Sequence, residues 1–456
     1  MASHDSRTSR SLRLLSLGRL LAVSVALLSP ALSAKGQISF TSAIDLSLRN
    51  SPRVKVAEDD VRKAQAVLLE TKSVFIPSIV AGGGAGASSG ITLNVPTIFT
   101  INAQSLVFNS SQRDYIRAAR SGLEAATLAL TNVREQIAED AAVSYLSLDR
   151  TQKREGAMAD EYRFAVRLVA IVQERFDAGL DTDRELKKAR RTLVQIRLLQ
   201  LQLEDEKASL RDHLARLTGL PGSNLETVPE SVPSSAAFRA PEKASADAYR
   251  DTPEVLSAQA NARAKWQTAF GDSRYTWRPQ ITFDAQYGRI SPINNVSTYY
   301  NLNGNYNTLA AGIQIQLPFL DRTRRAKGRE AMADAQHAAH ELDFLRDQQG
   351  ESRLKVSHNV AELEAKVELA ELDAGIAQDD LNAMSVQVKA DGGNSAPPMT
   401  PKDEQNVHIQ ERQRFIDSLD AKLQLQEAEI SLLRQTTGLN EWLRSLVVTT
   451  VAPVPR

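Results

Sequence analysis

Cysteine is absent from all 456 residues, which removes disulfide frameworks, thiol nucleophiles, thiolate metal sites and any N-terminal lipid-acceptor cysteine. An excess of either charge is absent too. The 55 basic and 55 acidic residues give a formal net charge of zero, so no global field draws nucleic acid or an anionic surface to the chain. Beyond the N-terminal segment no apolar run reaches the roughly 20 residues of a spanning helix, so any membrane crossing by the mature chain falls to β-strands. Proline is missing from Ser110 to Ala178 and again from Asp321 to Ala390. Each of these stretches reads as one helix on the order of 100 Å long, whereas a compact sphere of this chain length would be only about 60 Å across. The molecule is therefore elongated. Each stretch also follows a short alternating segment ending in phenylalanine, Ser105-Leu106-Val107-Phe108 and Gln316-Leu317-Pro318-Phe319.

The N-terminus carries Arg7, Arg10, Arg13 and Arg19, then the apolar run Leu20 to Leu28, then small residues through Ala34. That succession is a secretory signal peptide over residues 1–34, because the apolar run is too short for a membrane anchor. A helix is expected from Thr41 to about Phe75, interrupted at Ser51-Pro52 and closed by Pro77. Its counterpart two hundred residues on places Pro253 and Pro279 26 residues apart, against 25 for Pro52 and Pro77. Matched proline spacing marks a tandem repeat.

After Pro279, the segment Gln280 to Tyr287 alternates Ile281, Phe283, Ala285 and Tyr287 against Thr282, Asp284 and Gln286, the period of a strand with one apolar face. The returning segments alternate likewise, Phe99, Ile101 and Ala103 against Thr100, Asn102 and Gln104, and Ile313, Ile315 and Leu317 against Gln314 and Gln316. At about 10–13 residues each, they have the length of tilted membrane strands. Phe283, Tyr287, Ile313 and Ile315 are the expected lipid-facing residues, with Gln314 and Gln316 facing a lumen. Ser78 to Ser89, small and glycine-rich, is the partner strand in the first repeat, and Gly90 to Pro96 and Ser291 to Tyr306 are the connecting polar loops. Four strands per chain cannot close a barrel, which takes at least about eight, so two or three copies must contribute.

Each long helix ends near glycine, at Gly179 in the first repeat and at Gly392-Gly393 in the second, as a helix–turn–helix tip. The chain then returns along seams of seven-residue period, Ala189, Ile196, Leu203, Leu210 and Leu217, then Ile409, Ile416, Leu423 and Ile430, the pattern of coiled-coil packing. Thr218-Gly219 and Thr437-Gly438 end both returns. The organisation expected is a signal peptide (1–34), a first repeat (35–220) with a hairpin at 77–108 and a tip at 175–183, a linker (221–241), a second repeat (242–439) with a hairpin at 279–319 and a tip at 389–403, and a tail (440–456).

In this duplicated order, the paired Pro77 and Pro279, the Val107-Phe108 and Pro318-Phe319 junctions, the tip Arg175-Phe176-Asp177-Ala178-Gly179 and the end Ala215-Arg216-Leu217-Thr218-Gly219 resemble the TolC family of outer membrane efflux proteins, the outer membrane factors of tripartite efflux and type I secretion systems. The resemblance covers the whole mature chain. It implies a mainly α fold with β, in which long antiparallel coiled-coil helices form a trimeric α-barrel continued by a 12-stranded outer-membrane β-barrel, four strands from each chain. It also implies a homotrimer in outer-membrane lipid, extending into the periplasm and working with a periplasmic membrane-fusion adaptor and an inner-membrane efflux or secretion pump to export small molecules, drugs or proteins. The tips then become the periplasmic entrance and adaptor-docking surface, built from Gly179, Gly392 and Gly393 with Asp177, Asp181, Asp183 and Asp391. The second tip departs from the pattern through Ser395-Ala396-Pro397-Pro398-Met399-Thr400-Pro401, which stretches Gly392 to Gly438 to 46 residues against 40 for Gly179 to Gly219.

Other chemistry is thin. His337 and His340 lie three apart beside Glu341 without a recognisable third ligand, the usual state of solvated helix histidines. Gly271-Asp272-Ser273 sits at a helix end with no histidine partner, and Gly82-Gly83-Gly84 lacks the Gly-Lys-Ser/Thr of a phosphate loop. Charge runs such as Glu204-Asp205-Glu206-Lys207 read as solvated helix faces. No enzyme activity, cofactor, metal or nucleic-acid partner is expected. The competing class is a periplasmic coiled-coil scaffold or adaptor that does not span the membrane, for which two hairpins of lipid-spanning length have no use.

Overall fold

The computed structural model describes residues 36–84, 97–222, 225–238, 251–275, 278–290, 306–318, 321–389, 400–436, 438–439 and 442–443. The expected signal peptide, the tail beyond 443, most of both connecting loops, and Asp391, Gly392 and Gly393 of the expected second tip lie outside the described residues. Strand β1 (Gly36–Ile38) leads into α1 (Phe40–Asn50) and α2 (Pro52–Ser73), followed by the hairpin β2 (Ser78–Gly83) and β3 (Thr97–Asn109). Then come α3 (Gln112–Asp177), α4 (Asp183–Thr218), β4 (Leu225–Thr227) and the short α5 (Ser235–Phe238). The second half is α6 (Pro253–Tyr275), β5 (Gln280–Ile290), β6 (Asn307–Gln316), α7 (Arg322–Lys389) and α8 (Pro401–Thr436). Proline starts α2, α6 and α8, where its missing N–H would be unpaired in any case and its fixed φ suits the first turn. The 66 residues of α3 and 68 of α7 make rods of about 100 Å.

These helices form a wall four rods wide. Near the strands α2 packs on α3, α3 on α6 and α6 on α7; towards the tips α4 packs on α3, α3 on α8 and α8 on α7. Thus α3 and α7 run the full height, while α2 stands above α4 and α6 above α8. At the first joint the Asn50 side-chain amide donates to the Thr218 carbonyl, and Gly219, at φ 74°, closes α4 in the left-handed conformation. At the second, Thr252 and Val255 of the upper helix line the same cleft as Arg434 and Gln435 of the lower, and Gly438 again has a positive φ, 85°. The seven-residue seams are buried as their period requires: Ala189, Ile196, Leu203 and Leu217 on α4, and Ile409, Ile416, Leu423 and Ile430 on α8. Leu210 is half-buried against the central core.

That core wraps the middle of α3. Tyr145 is fully buried there, donating from its hydroxyl to the Ile38 carbonyl at 2.8 Å and accepting from the Val228 amide at 2.9 Å. Phe40 meets its ring edge-on, Phe238 and Trp442 pack edge-on against Phe40 and tilted against each other, and β1 pairs in parallel with β4. The segment 221–241, polar and proline-rich in sequence, is therefore more than a connector: Leu225 and Phe238 are two of its residues that anchor in the core. Among the described residues no helix is long and apolar enough to cross a membrane.

Candidate functional site

The four longer strands make one antiparallel sheet in the order β2-β3-β5-β6. Its register sorts side chains by face, because residues paired across antiparallel strands point the same way. Ile79 and Ala81 lie opposite Ala103 and Ile101, these lie opposite Ala285 and Tyr287, and those lie opposite Ala311 and Leu309. Phe283 pairs with Ile313, and Ile281 with Ile315. The other face carries Thr100, Asn102, Gln104, Asp284 and Gln286, with Gln314 opposite Thr282 and Gln316 opposite Gln280; Val80, Leu106 and Ala310 are apolar exceptions. The structure thus sets Phe283, Tyr287, Ile313 and Ile315 on one face and Gln314 and Gln316 on the other. Leu309, Ile313 and Ile315 are 80, 67 and 62% exposed in the single chain, an apolar surface that a water-soluble monomer rarely leaves open. Among the described residues, both edge strands lack a second neighbour. At its helical end the polar face opens on a cleft of about 870 Å³ lined by Gln104, Gln280, Thr282, Glu70, Arg324 and Lys327.

At the opposite end, α3 turns into α4 through Gly179 (φ 72°). The Gly179 amide donates to the Phe176 carbonyl at 2.9 Å and the Leu180 amide to the Arg175 carbonyl at 2.8 Å, the two bonds of a Schellman cap. A Cβ built on Gly179 meets no atom within 4 Å, so the turn is an open surface. Each described aspartate of the tip has a local partner. Asp177 accepts from the Gln173 amide at 2.9 Å, Asp181 pairs with Arg175 at 3.0 Å, and Asp183 with Lys187 at 2.7 Å. The two tips are also tied together, Lys402 of α8 reaching Glu185 of α4 at 2.9 Å. Hydrogen bonds from Lys188 and then Lys402 hold the Glu185 carboxyl down at about 2. Nothing in local sequence pattern marks this tie, since its partners are 217 residues apart.

A charged layer crosses the wall between these ends. Arg150 of α3 bridges Asp420 of α8 at 3.0 Å and Glu206 of α4 at 2.8 Å, and Arg154 adds to Asp420 at 3.6 Å. Lys207 pairs with Glu155, so Glu206 and Lys207 tie helices together where the sequence pattern suggested a solvated face. Glu161 is 5% exposed. Burial pushes its carboxyl up to about 7, with Arg154 opposing the rise and Asp417 adding to it. The signal for it was present: Met158, Glu161, Ala165, Leu168 and Val172 are all buried at alternating three- and four-residue steps, and one of them is charged. Among the described residues no His, Asp or Glu side chains gather into a metal-binding group. Gly271-Asp272-Ser273 is structural, Gly271 leaving room for the Tyr115 ring and Asp272 accepting from the Tyr115 hydroxyl at 2.6 Å.

Residues 43–220 match the family of outer membrane efflux proteins. Protein CyaE of Bordetella pertussis is 26% identical over 320 residues, which cover 66% of this chain and 65% of that protein; the match spans just under two thirds of the relative's length. Among solved structures, CusC, described for transmembrane channel formation, superposes with a TM-score of 0.69 at 17% identity, over 89% of this chain and 92% of that one. The outer membrane protein VceC of Vibrio cholerae gives 0.68 at 16% identity, over 88% and 96%. At such identities the likeness of structure is one of fold. The match of residues 43–220 to outer membrane efflux proteins, the fold shared nearly end to end with CusC and VceC, and the apolar-faced sheet standing on a wall of rods about 100 Å long all describe one architecture.

Proposed function

We propose that the chain is the outer-membrane duct of a tripartite export system, three copies forming a 12-stranded barrel that continues as a helical tunnel. One observation carries this reading: a four-stranded sheet, apolar on one face and polar on the other, with both edges open among the described residues. Open edges in hydrocarbon cost several kcal/mol for each unpaired backbone group, so the sheet must close on copies of itself. Strands β3, β5 and β6, of 10–13 residues and tilted by 35–45°, cover the apolar band of about 25 Å. The rods then reach across the periplasm, and the repeats 35–220 and 242–439 each supply one hairpin and one tip.

The duct is passive and not an enzyme, with transport driven by an inner-membrane efflux or secretion pump through a periplasmic adaptor. Cargo is small molecules, drugs or secreted polypeptides. The entrance and docking surface are Gly179, Gly392 and Gly393, with Asp177, Asp181, Asp183 and Asp391 repeated around the mouth and favouring cations. The local partners of Asp177, Asp181 and Asp183 support a capping role beside that one. Mass measurement in detergent and conductance in planar bilayers test the assembly. A trimer that conducts is the expected result, and a stable water-soluble monomer overturns it. Neutralising the four aspartates to Asn lowers single-channel cation selectivity if they line the mouth; unchanged selectivity leaves them as caps only. Gly179→Trp abolishes export if the tip docks an adaptor.

A further inference from the structure

The cleft beneath the sheet opens on its polar face, so the side of the helical wall turned away from that cleft continues the sheet's apolar face. Helix geometry decides which side chains stand there. On α3, Tyr115 and Gly122 line the cleft and the groove below it, whereas Arg113, Arg117 and Arg120, at i, i+4 and i+7, lie roughly 140–180° round the helix from both. On α6, Trp266 and Phe270 lie roughly 160° from the cleft-lining Thr268; on α7, Arg325 and Arg329 each lie roughly 160° from Lys327. The two sides differ in charge. The cleft holds two residues of each sign, Glu70 and Asp272 against Arg324 and Lys327, and the groove below it is balanced in the same way. The side turned away carries the five arginines, all exposed, with Phe270 at 46% exposure among them.

These groups form a belt immediately below the strands. Since α3 follows β3 and α7 follows β6, the five arginines fall within about 12 Å of the two helix starts, and Trp266 and Phe270 within about 14 Å of the upper end of α6. Their rings pack at 6.0 Å. Arg117 of α3 and Arg274 of α6 share Asp114, which is 2% exposed and accepts from Arg274 at 2.9 Å. One buried carboxylate thus fixes two guanidinium groups and leaves the belt positive. Arg113, Arg120 and Arg329 make no ion pair among the described residues, and Glu124, the next carboxylate down this side of α3, pairs with Arg263 at 3.5 Å.

We infer that this belt seats anionic phospholipid headgroups of the leaflet at the helical end of the sheet. Guanidinium groups bind phosphate oxygens in bidentate fashion, and arginine side chains laid along a helix reach up to headgroup level. A Trp–Phe pair suits the boundary between headgroups and acyl chains. Continuity with the apolar strands selects a lipid over a soluble anion: a molecule whose chains cover Ile281 and Ile315 brings its phosphate down to the arginines. A phosphatidylcholine phosphate is cancelled by its own ammonium, so the preference falls on a headgroup of net negative charge such as phosphatidylglycerol. The inference rests on the outer-membrane reading and adds a lipid preference to it.

The test is lipid retention by the full chain, purified from detergent micelles holding equimolar phosphatidylglycerol and phosphatidylcholine, with the bound lipid counted by mass spectrometry. Phosphatidylglycerol is expected in about five-fold excess at low salt, falling towards parity as salt screens the arginines. Arg113→Glu with Arg120→Glu is expected to bring the ratio near one. Lys63→Glu with Lys327→Glu, the same change of charge on the cleft side, is expected to leave it as in the parent. Equal losses in the two pairs would assign the preference to overall charge and overturn the belt. So would a parent ratio of one, or a ratio indifferent to salt, and these two readings need no variant to fold. Binding of soluble glycerol phosphate to the protein in phosphatidylcholine alone, lost in Arg113→Glu with Arg120→Glu, would give the belt to soluble phosphates and overturn the lipid assignment. If the parent enters bilayers but shows no lipid preference, the belt is wrong and the membrane reading stands; if the parent is a water-soluble monomer, the membrane reading itself falls.

Discussion

Replacing Glu161 with Gln tests the energetics of the wall most directly. The carboxyl is buried at a seam position of α3 and pushed up to about 7 from an ordinary 4.5, so the folded wall holds a proton that the opened chain releases. The sign follows from linkage: below pH 4.5 both states are protonated and nothing is lost, between 4.5 and 7 stability falls as pH rises, and above 7 the loss is complete. Each pH unit in that window is worth about 1.4 kcal/mol, giving a ceiling near 3 kcal/mol; we take about 2 kcal/mol, since water reaches a helix seam more readily than a closed core. Glutamine keeps the size and a neutral polar head. Glu161→Gln should therefore match the parent at pH 4 and exceed it by about 2 kcal/mol at pH 8. Hydrogen exchange of α3 amides around residues 157–165 reads this locally, and comparing variant with parent at equal pH cancels the intrinsic dependence of exchange on pH. The expected change is about 30-fold slower exchange at pH 8. Equal protection at both pH values, or faster exchange in the variant at pH 8, would refute a buried, proton-holding Glu161.

The tie between tips behaves oppositely: with Glu185 held at about 2, its contribution is present above the ordinary carboxylate value and lost only on acidification below it, so crosslinking or exchange across the tips should not vary between pH 6 and 8. Ile315→Arg, on the apolar face opposite Ile281, should impair assembly by about 2–4 kcal/mol if that face meets lipid, and Gln316→Arg much less; equal losses in a folding titration would reverse the facing. Gly271→Ala should destabilise by about 1–3 kcal/mol, because the new Cβ would stand 2.7 Å from the Tyr115 ring. Gly179→Ala meets open space and should cost only the left-handed backbone, about 1–2 kcal/mol, in thermal unfolding.

Local periodicity made much of this legible. The proline breaks at Pro52 and Pro253, the alternation of Phe283 and Ile313 against Gln314, the heptad seams and the glycine tip at Gly179 are signals within a few residues of each other, and the described residues place each as the period demands. What stayed hidden depends on contacts far apart in the chain. Tyr145 is an ordinary seam aromatic until Ile38 and Val228 arrive from 107 and 83 residues away. The Arg150 layer needs Glu206 and Asp420 together, and the wall's order of rods comes from pairing rather than pattern. Leu225 and Phe238 escaped notice because two anchors in a polar, proline-rich stretch form no period at all.

The core around Tyr145 has a kinetic consequence. It is assembled from residues 36–44, the middle of α3, residues 225–238 and residues 439–442, nearly the two extremes of the described chain. Helices and hairpins close on local contacts within microseconds, whereas a contact spanning four hundred residues waits on loop closure and, during synthesis, on delivery of the last residues. Phe40 and Phe238 therefore remain uncovered until Trp442 emerges. A protomer exported in an extended state completes this clasp last, and a chain ending short of Leu439 would present its aromatic pocket to whatever holds unfinished proteins in solution.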